Sequence, residues 1–339
     1  MTRGATPVSH GRGPLNAPGA NRWEGTAVSP APGTPAGPEG DDRTARITAA
    51  AEVQAPAENF PVALRMLPAR YRQHLMAVYR FARTVDDIGD EAPYQPGPYQ
   101  PAQGSDATQG TLAEQRIGLL DEIDADLGRL YAGQPPATEV IGQLAATVDQ
   151  CGIPAQPLRD LIQANRQDQL VSRYQTFGEL AGYCRLSANP VGRIVLYVFG
   201  VYTAERAELS DRVCTALQLA EHWQDVAEDL RAGRIYLPAE DLAEYRCTEA
   251  DLAQPSAGPA VRALMAYEVI RASALLSSGA PLIGTLRGAA RVAVAGYVAG
   301  GRAALAAISA ADHDVLSATH HPAKPRLLAE LARAYVRGR

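Results

Sequence analysis

From Arg46 to the carboxyl end, alanine- and leucine-rich segments repeat apolar residues about every 3.6 positions, and no run shows convincing strand alternation. That pattern confines the chain to an all-α architecture. It predicts helices over 70–91, 111–131, 137–151, 155–171, 177–200, 203–231, 260–278, 285–309 and 325–337. Their connections carry Pro or Gly, as in Gly133-Gln134-Pro135-Pro136 and Gly152-Ile153-Pro154. The longest apolar stretch, Gly288 to Ala311, is interrupted by Arg291 and Arg302, which marks a core helix rather than a membrane span.

Residues 1–40 hold seven Pro and eight Gly with almost no aliphatic runs, too little apolar surface to offset the entropy of ordering them. The expectation is a disordered segment over 1–45 ahead of one helical domain over 46–339. Within that domain, 93–110 carries Pro-Tyr-Gln-Pro twice and reads as a flexible loop, either a solvated linker or a lid. A net charge of −5 and a pI near 5.7 argue against a nucleic-acid partner and against a polybasic membrane patch. Cys151, Cys184, Cys214 and Cys247 form no CxxC pair, so reduced thiols in a cytoplasmic protein are expected rather than structural zinc. The amino terminus has no hydrophobic core of the kind a signal peptide needs.

Two acidic clusters carry the chemistry. In Asp86-Asp87-Ile88-Gly89-Asp90-Glu91, Asp86 and Asp90 are four residues apart and share one face of a helix. Asp225-Val226-Ala227-Glu228-Asp229 repeats that spacing, and the same face extends backward to Glu221 and Gln218. Like charges at this spacing oppose helix formation and call for a counter-ion. Hard oxygen ligands suit Mg²⁺, which binds through one or two carboxylates plus substrate phosphates. One such cluster alone is an ordinary solvated face. Two, both embedded in apolar helices, can bracket a diphosphate and stabilise it as a leaving group.

Arg83 lies three residues before Asp86, where it can pair a diphosphate, orient an aspartate or simply neutralise the cluster. Arg234, in Gly233-Arg234-Ile235-Tyr236-Leu237-Pro238, follows the second cluster with the same choice of roles. Trp223 lies on the far side of its helix from Asp225 and reads as core. Asn189-Pro190 should kink its helix or begin a new one, and the Asn189 amide can hold a single water.

Taken together, Tyr79-Arg80-Phe81-Ala82-Arg83-Thr84-Val85-Asp86-Asp87-Ile88-Gly89-Asp90 and Gln218-Leu219-Ala220-Glu221-His222-Trp223-Gln224-Asp225-Val226-Ala227-Glu228-Asp229 resemble the squalene/phytoene synthase family, from about Ala57 to the carboxyl end. The resemblance implies a single-domain helical bundle of the isoprenoid-synthase type with a central active-site cavity. It places Asp86, Asp90, Asp225 and Asp229 on Mg²⁺-binding positions, flanked by Asp87 and Glu228. It also puts Tyr183, in Gly182-Tyr183-Cys184-Arg185, where a tyrosine guides proton transfer and cation chemistry. Tyr79, Arg83, Asn189, Gln218, Arg234 and Tyr236 are the candidate substrate contacts.

Glu58-Asn59-Phe60-Pro61-Val62-Ala63, Leu186-Ser187-Ala188-Asn189-Pro190-Val191-Gly192 and Trp223-Gln224-Asp225-Val226 are similar to the bacterial hydroxysqualene synthases of hopanoid pathways. That branch implies presqualene diphosphate as substrate and water as the group that captures the cation. An apolar product implies peripheral contact with the inner face of the membrane and association with other squalene-pathway enzymes.

Two departures stand out. Glu221 replaces the family's usual Asn and either ligates a metal or sits protonated or paired. Ala57-Glu58-Asn59 replaces a short serine-containing motif used for diphosphate binding. The alternatives are a presqualene diphosphate, squalene or phytoene synthase, a trans-type terpene cyclase, and a catalytically silent assembly factor of the same fold.

Overall fold

The computed structural model describes residues 67–90, 106–320 and 324–337, all belonging to one compact unit. The expected disordered segment 1–45 lies outside the described residues. The longer helices are α1 (Ala69–Asp90), α2 (Asp106–Tyr131), α3 (Glu139–Cys151), α4 (Ala155–Asp168), α5 (Phe177–Ser187), α6 (Asn189–Val198) and α7 (Ala204–Gln224). After the short α8 (Val226–Arg231), α9 (Ala239–Glu244) and α10 (Glu249–Leu252) come α11 (Pro259–Gly279), the four-residue α12 (Leu282–Thr285), α13 (Gly288–Ala310) and α14 (Lys324–Arg337). Among the described residues the sole β feature is an isolated parallel bridge between Arg173 and Ile235.

The hub is α7, which packs against α5, α6, α11, α12 and α13. Its start is fixed by Thr203, whose side chain accepts the Arg206 amide and satisfies a donor that the first turn leaves open. Two glycines let neighbours reach its backbone. A Cβ on Gly192 of α6 would lie 2.4 Å from both Cys214 Sγ and Ser210 Oγ. A Cβ on Gly279 of α11 would lie 2.7 Å from the Leu209 carbonyl oxygen. Trp223 is fully buried, as its place on the helix requires. The apolar helix α13 buries Val294, Ala295, Val298 and Ala299 against this hub, so it is a core element although it is long enough to span a bilayer.

Three boundaries differ from the sequence expectation. The helix expected over 177–200 is interrupted at Ala188 (φ −104°, ψ −45°), and Pro190 sits in the first turn of α6. There its missing amide is one that an opening turn leaves unbonded anyway, so Pro190 starts a helix instead of kinking one. The helix expected over 203–231 breaks at Asp225 (φ −106°, ψ 15°) into α7 and α8. The loop expected over 93–110 is already helical from Asp106, and its earlier part lies outside the described residues.

Candidate active site

The first motif lies at the carboxyl end of α1. Successive residues on a helix point about 100° apart, so Asp86 and Asp87 face different surroundings. Asp86 is exposed and accepts a 2.9 Å hydrogen bond from Asn165 Nδ2 of α4. Asp87 is only 4 % exposed and takes the Arg83 guanidinium at 2.8 Å. This leaves Asp86 as the carboxylate on the outer face and makes Arg83 the counter-ion of a buried aspartate. Gly89 is needed beneath them, because a Cβ there would come within 2.3 Å of Asn165 Oδ1. Asp90 ends α1, and its side chain lies outside the described part of the structure. Tyr79 is buried in the same helix.

The second motif straddles the break at Asp225. The Asp225 amide still donates to the Glu221 carbonyl at 3.0 Å, and its own carbonyl accepts from Glu228 and Asp229 at 2.9 and 2.8 Å. Asp225 and Asp229 are half-buried, whereas Glu221 and Glu228 are exposed. A tight turn at Gly233 (φ 83°) then reverses the chain, with the Arg234 amide bonded to the Asp229 carbonyl at 2.8 Å and the Ile235 amide to the Ser172 carbonyl at 3.0 Å. This return strand carries Tyr236 into the bundle beside His222.

The two motifs meet through the last turn of α4 and the loop after it. Gln169 Nε2 holds the Gly89 carbonyl at 2.9 Å, and Asp168 accepts a 2.8 Å bond from the Tyr183 hydroxyl. Tyr183 is 6 % exposed and stands among Tyr174, Tyr236 and His222, with ring centroids 5.7, 5.8 and 6.2 Å away. His222 and Tyr236 stack at 3.7 Å. Burial and the Asp168 charge push the Tyr183 phenol well above its ordinary value, so it is a neutral donor. Burial and the nearby Arg234 charge lower the His222 imidazole to about 3, so it too is neutral. Its Nδ1 lies 3.9 Å from Asp229 Oδ2, and its Nε2 3.4 Å from Gln218 Nε2.

Beside this stack, His222, Val226, Asp229, Ile235, Tyr236 and Leu237 line a small pocket of about 10 Å³. Asn189 does not face open space. It is 4 % exposed and accepts the Thr215 hydroxyl at 2.9 Å, tying α6 to α7. Asn165, Asp168, Tyr174 and His222 were not legible as site residues, since their roles arise from contacts between distant parts of the chain.

Among the described residues no three carboxylate, imidazole or thiol side chains gather into a metal cage. The available donors are hard carboxylates on two motifs. Such a set fits a cation that keeps its waters and takes substrate phosphate oxygens, as Mg²⁺ does, and does not fit zinc.

The sequence profile of the squalene/phytoene synthase family matches residues 53–329. The chain belongs to that family. It is 32% identical over 231 residues to the hydroxysqualene synthase of Rhodopseudomonas palustris, covering 68% of this chain and 72% of the relative. It is 31% identical over 229 residues to a phytoene synthase of Arthrospira platensis, covering 64% and 68%. Squalene synthase HpnC from Alicyclobacillus acidocaldarius superposes with a TM-score of 0.67 at 36% identity, over 80% of this chain and 95% of that one. A dehydrosqualene synthase determined with ligand superposes at 0.71 with 21% identity, over 88% and 99%, which bears on the fold alone. The fold is therefore the isoprenoid-synthase helical bundle, in a family of enzymes that process isoprenoid diphosphates.

Proposed function

We propose that the protein converts presqualene diphosphate and water to hydroxysqualene and diphosphate. The carbon–oxygen bond to diphosphate breaks with both electrons leaving on oxygen. The cyclopropylcarbinyl cation rearranges to an allylic cation, water adds to it, and the water's second proton goes to diphosphate or solvent. No electron donor enters this balance. When bound, Mg²⁺ supplies Lewis-acid stabilisation of the leaving diphosphate, with Asp86, Asp225 and Asp229 as its protein ligands and Asp90, Glu221 and Glu228 within the same motifs.

The chain's own residues handle the cation. Tyr174, Tyr183 and Tyr236 form a wall of neutral π-faces, which attract a cation electrostatically without capturing it. The Tyr183–Asp168 bond holds one ring of that wall in place. Neutral His222 lines the small pocket and can orient a water through a ring nitrogen, which Asn189, bound to Thr215, is badly placed to do. Arg234 lies near enough to act on His222 and is suited to the departing diphosphate.

The observation that carries the reading is the similarity to hydroxysqualene synthases from three bacteria, at 31–32% identity. The phytoene synthase relatives favour a second reading, head-to-head condensation of prenyl diphosphates. Purified protein incubated with presqualene diphosphate, Mg²⁺ and ¹⁸O-labelled water, without NADPH, separates them. Labelled hydroxysqualene is expected. Squalene formed only with NADPH, or product formed only from geranylgeranyl diphosphate, overturns the proposal.

A further inference from the structure

Nine large apolar side chains are exposed among the described residues, and four of them, Leu327, Leu328, Tyr335 and Val336, lie on the fourteen-residue helix α14. Of the other five, Tyr131, Leu170 and Tyr202 are single and Tyr267 and Ile270 make one i,i+3 pair on α11. On α14 they are organised. Ala334 is fully buried and Leu331 half-buried against the bundle, so that side of the helix is already used. Leu328, Ala332 and Val336 recur every fourth residue on a different side and are all exposed, Leu328 at 65 % and Val336 at 81 %. Arg291 clamps the carboxyl end, stacking on the Tyr335 ring at 5.0 Å and donating to its carbonyl at 2.7 Å.

Charge says what covers this stripe. Residues 324–339 hold five basic residues and one acidic, a net +4 within a chain whose net charge is −5. Exposed Arg326 and Arg333, the latter paired with Glu330, lie beside the apolar stripe. A second copy of the chain would meet it isologously and set these basic faces against each other. An anionic bilayer complements both features, since apolar side chains enter the acyl boundary while arginines stay among the headgroups.

We infer that α14 is the surface by which this protein docks on anionic lipid bilayers. The expectation of no polybasic patch, drawn from the charge of the whole chain, misses this local asymmetry. The docked helix is not remote from the site: the carbonyl of His320, four residues before α14, accepts a bond from Gln224, the neighbour of Asp225. The inference stands independently of which isoprenoid reaction the site performs.

The test is vesicle flotation of the full chain at about 0.1 M salt, where charges near a surface still attract. Vesicles are phosphatidylcholine alone or with about one quarter phosphatidylglycerol. Wild type should float with the anionic vesicles and be released by about 1 M salt. L328E/V336E should lose at least about tenfold in binding, and R326Q/R333Q should lose preference for anionic lipid by several-fold. Circular dichroism and turnover in detergent verify that both variants are folded. Three outcomes overturn the inference: wild type floats no better with anionic than neutral vesicles, both variants bind like wild type, or light scattering shows a dimer that L328E/V336E abolishes. Binding that appears only after removal of residues 1–66 also overturns it, by giving the face to the chain's own amino-terminal segment.

Discussion

The two aspartate motifs share one sequence spacing and have become different structures. The first stays on an unbroken helix, with Asp87 neutralised inside the bundle by Arg83 and Asp86 steered by Asn165. The second is broken at Asp225, and its Asp229 lies 3.9 Å from the neutral His222 ring. The first is the end of one continuous helix tied to α4, and the second is a junction between two helices. The difference teaches that i,i+4 carboxylates specify a ligand type, while their surroundings specify the backbone that carries them.

The largest expected effect removes a ligand from either side. Asp86→Asn and Asp225→Asn should each lower turnover by about 10²-fold or more, roughly 3 kcal/mol of barrier, measured at saturating Mg²⁺. Wild-type turnover in either variant breaks the symmetry of the two motifs. Next comes stability. Arg83→Leu removes a counter-ion from buried Asp87 and should cost about 3 kcal/mol in denaturant unfolding. Loss of turnover at unchanged stability would instead place Arg83 on the substrate.

Asn165→Leu isolates steering from ligation. It should raise the Mg²⁺ concentration for half-maximal thermal stabilisation in the presence of diphosphate roughly tenfold, because the Asp86 carboxylate loses its oriented donor. An unchanged Mg²⁺ midpoint sinks that role.

The smallest effect concerns an acidic cluster that belongs to neither motif. Glu268 is fully buried on α11, where Arg271 serves both it and Asp241. Burial raises its carboxyl to about 8, against 4.5 ordinarily, with Arg271 pulling the other way. The unfolded chain thus releases the proton first, so this group's contribution to stability is present below about pH 4.5 and lost as pH rises toward 8. Glu268→Gln should melt a few degrees higher than wild type at about pH 9 and show little advantage near pH 5, read by calorimetry across pH. A constant difference across that range removes the titration as its cause.

What could be read from sequence was whatever depends on neighbours along the chain. Helical periodicity, the burial of Trp223 and the core character of α13 all follow from residues within a turn or two. The family motifs belong to the same local class, and the profile match over 53–329 bears them out. Decisions that involve residues far apart were closed to it. Whether Pro190 kinks or starts a helix depends on how α5 and α6 dock, and whether Asn189 holds water depends on Thr215, twenty-six residues away. Asn165 finds Asp86 across seventy-nine residues, and Tyr183 finds Asp168 only because α4 and α5 fold back on each other. A carboxylate's identity is written in the chain, but its partner, its exposure and its charge state are set by which distant side chain the packing brings within 3 Å.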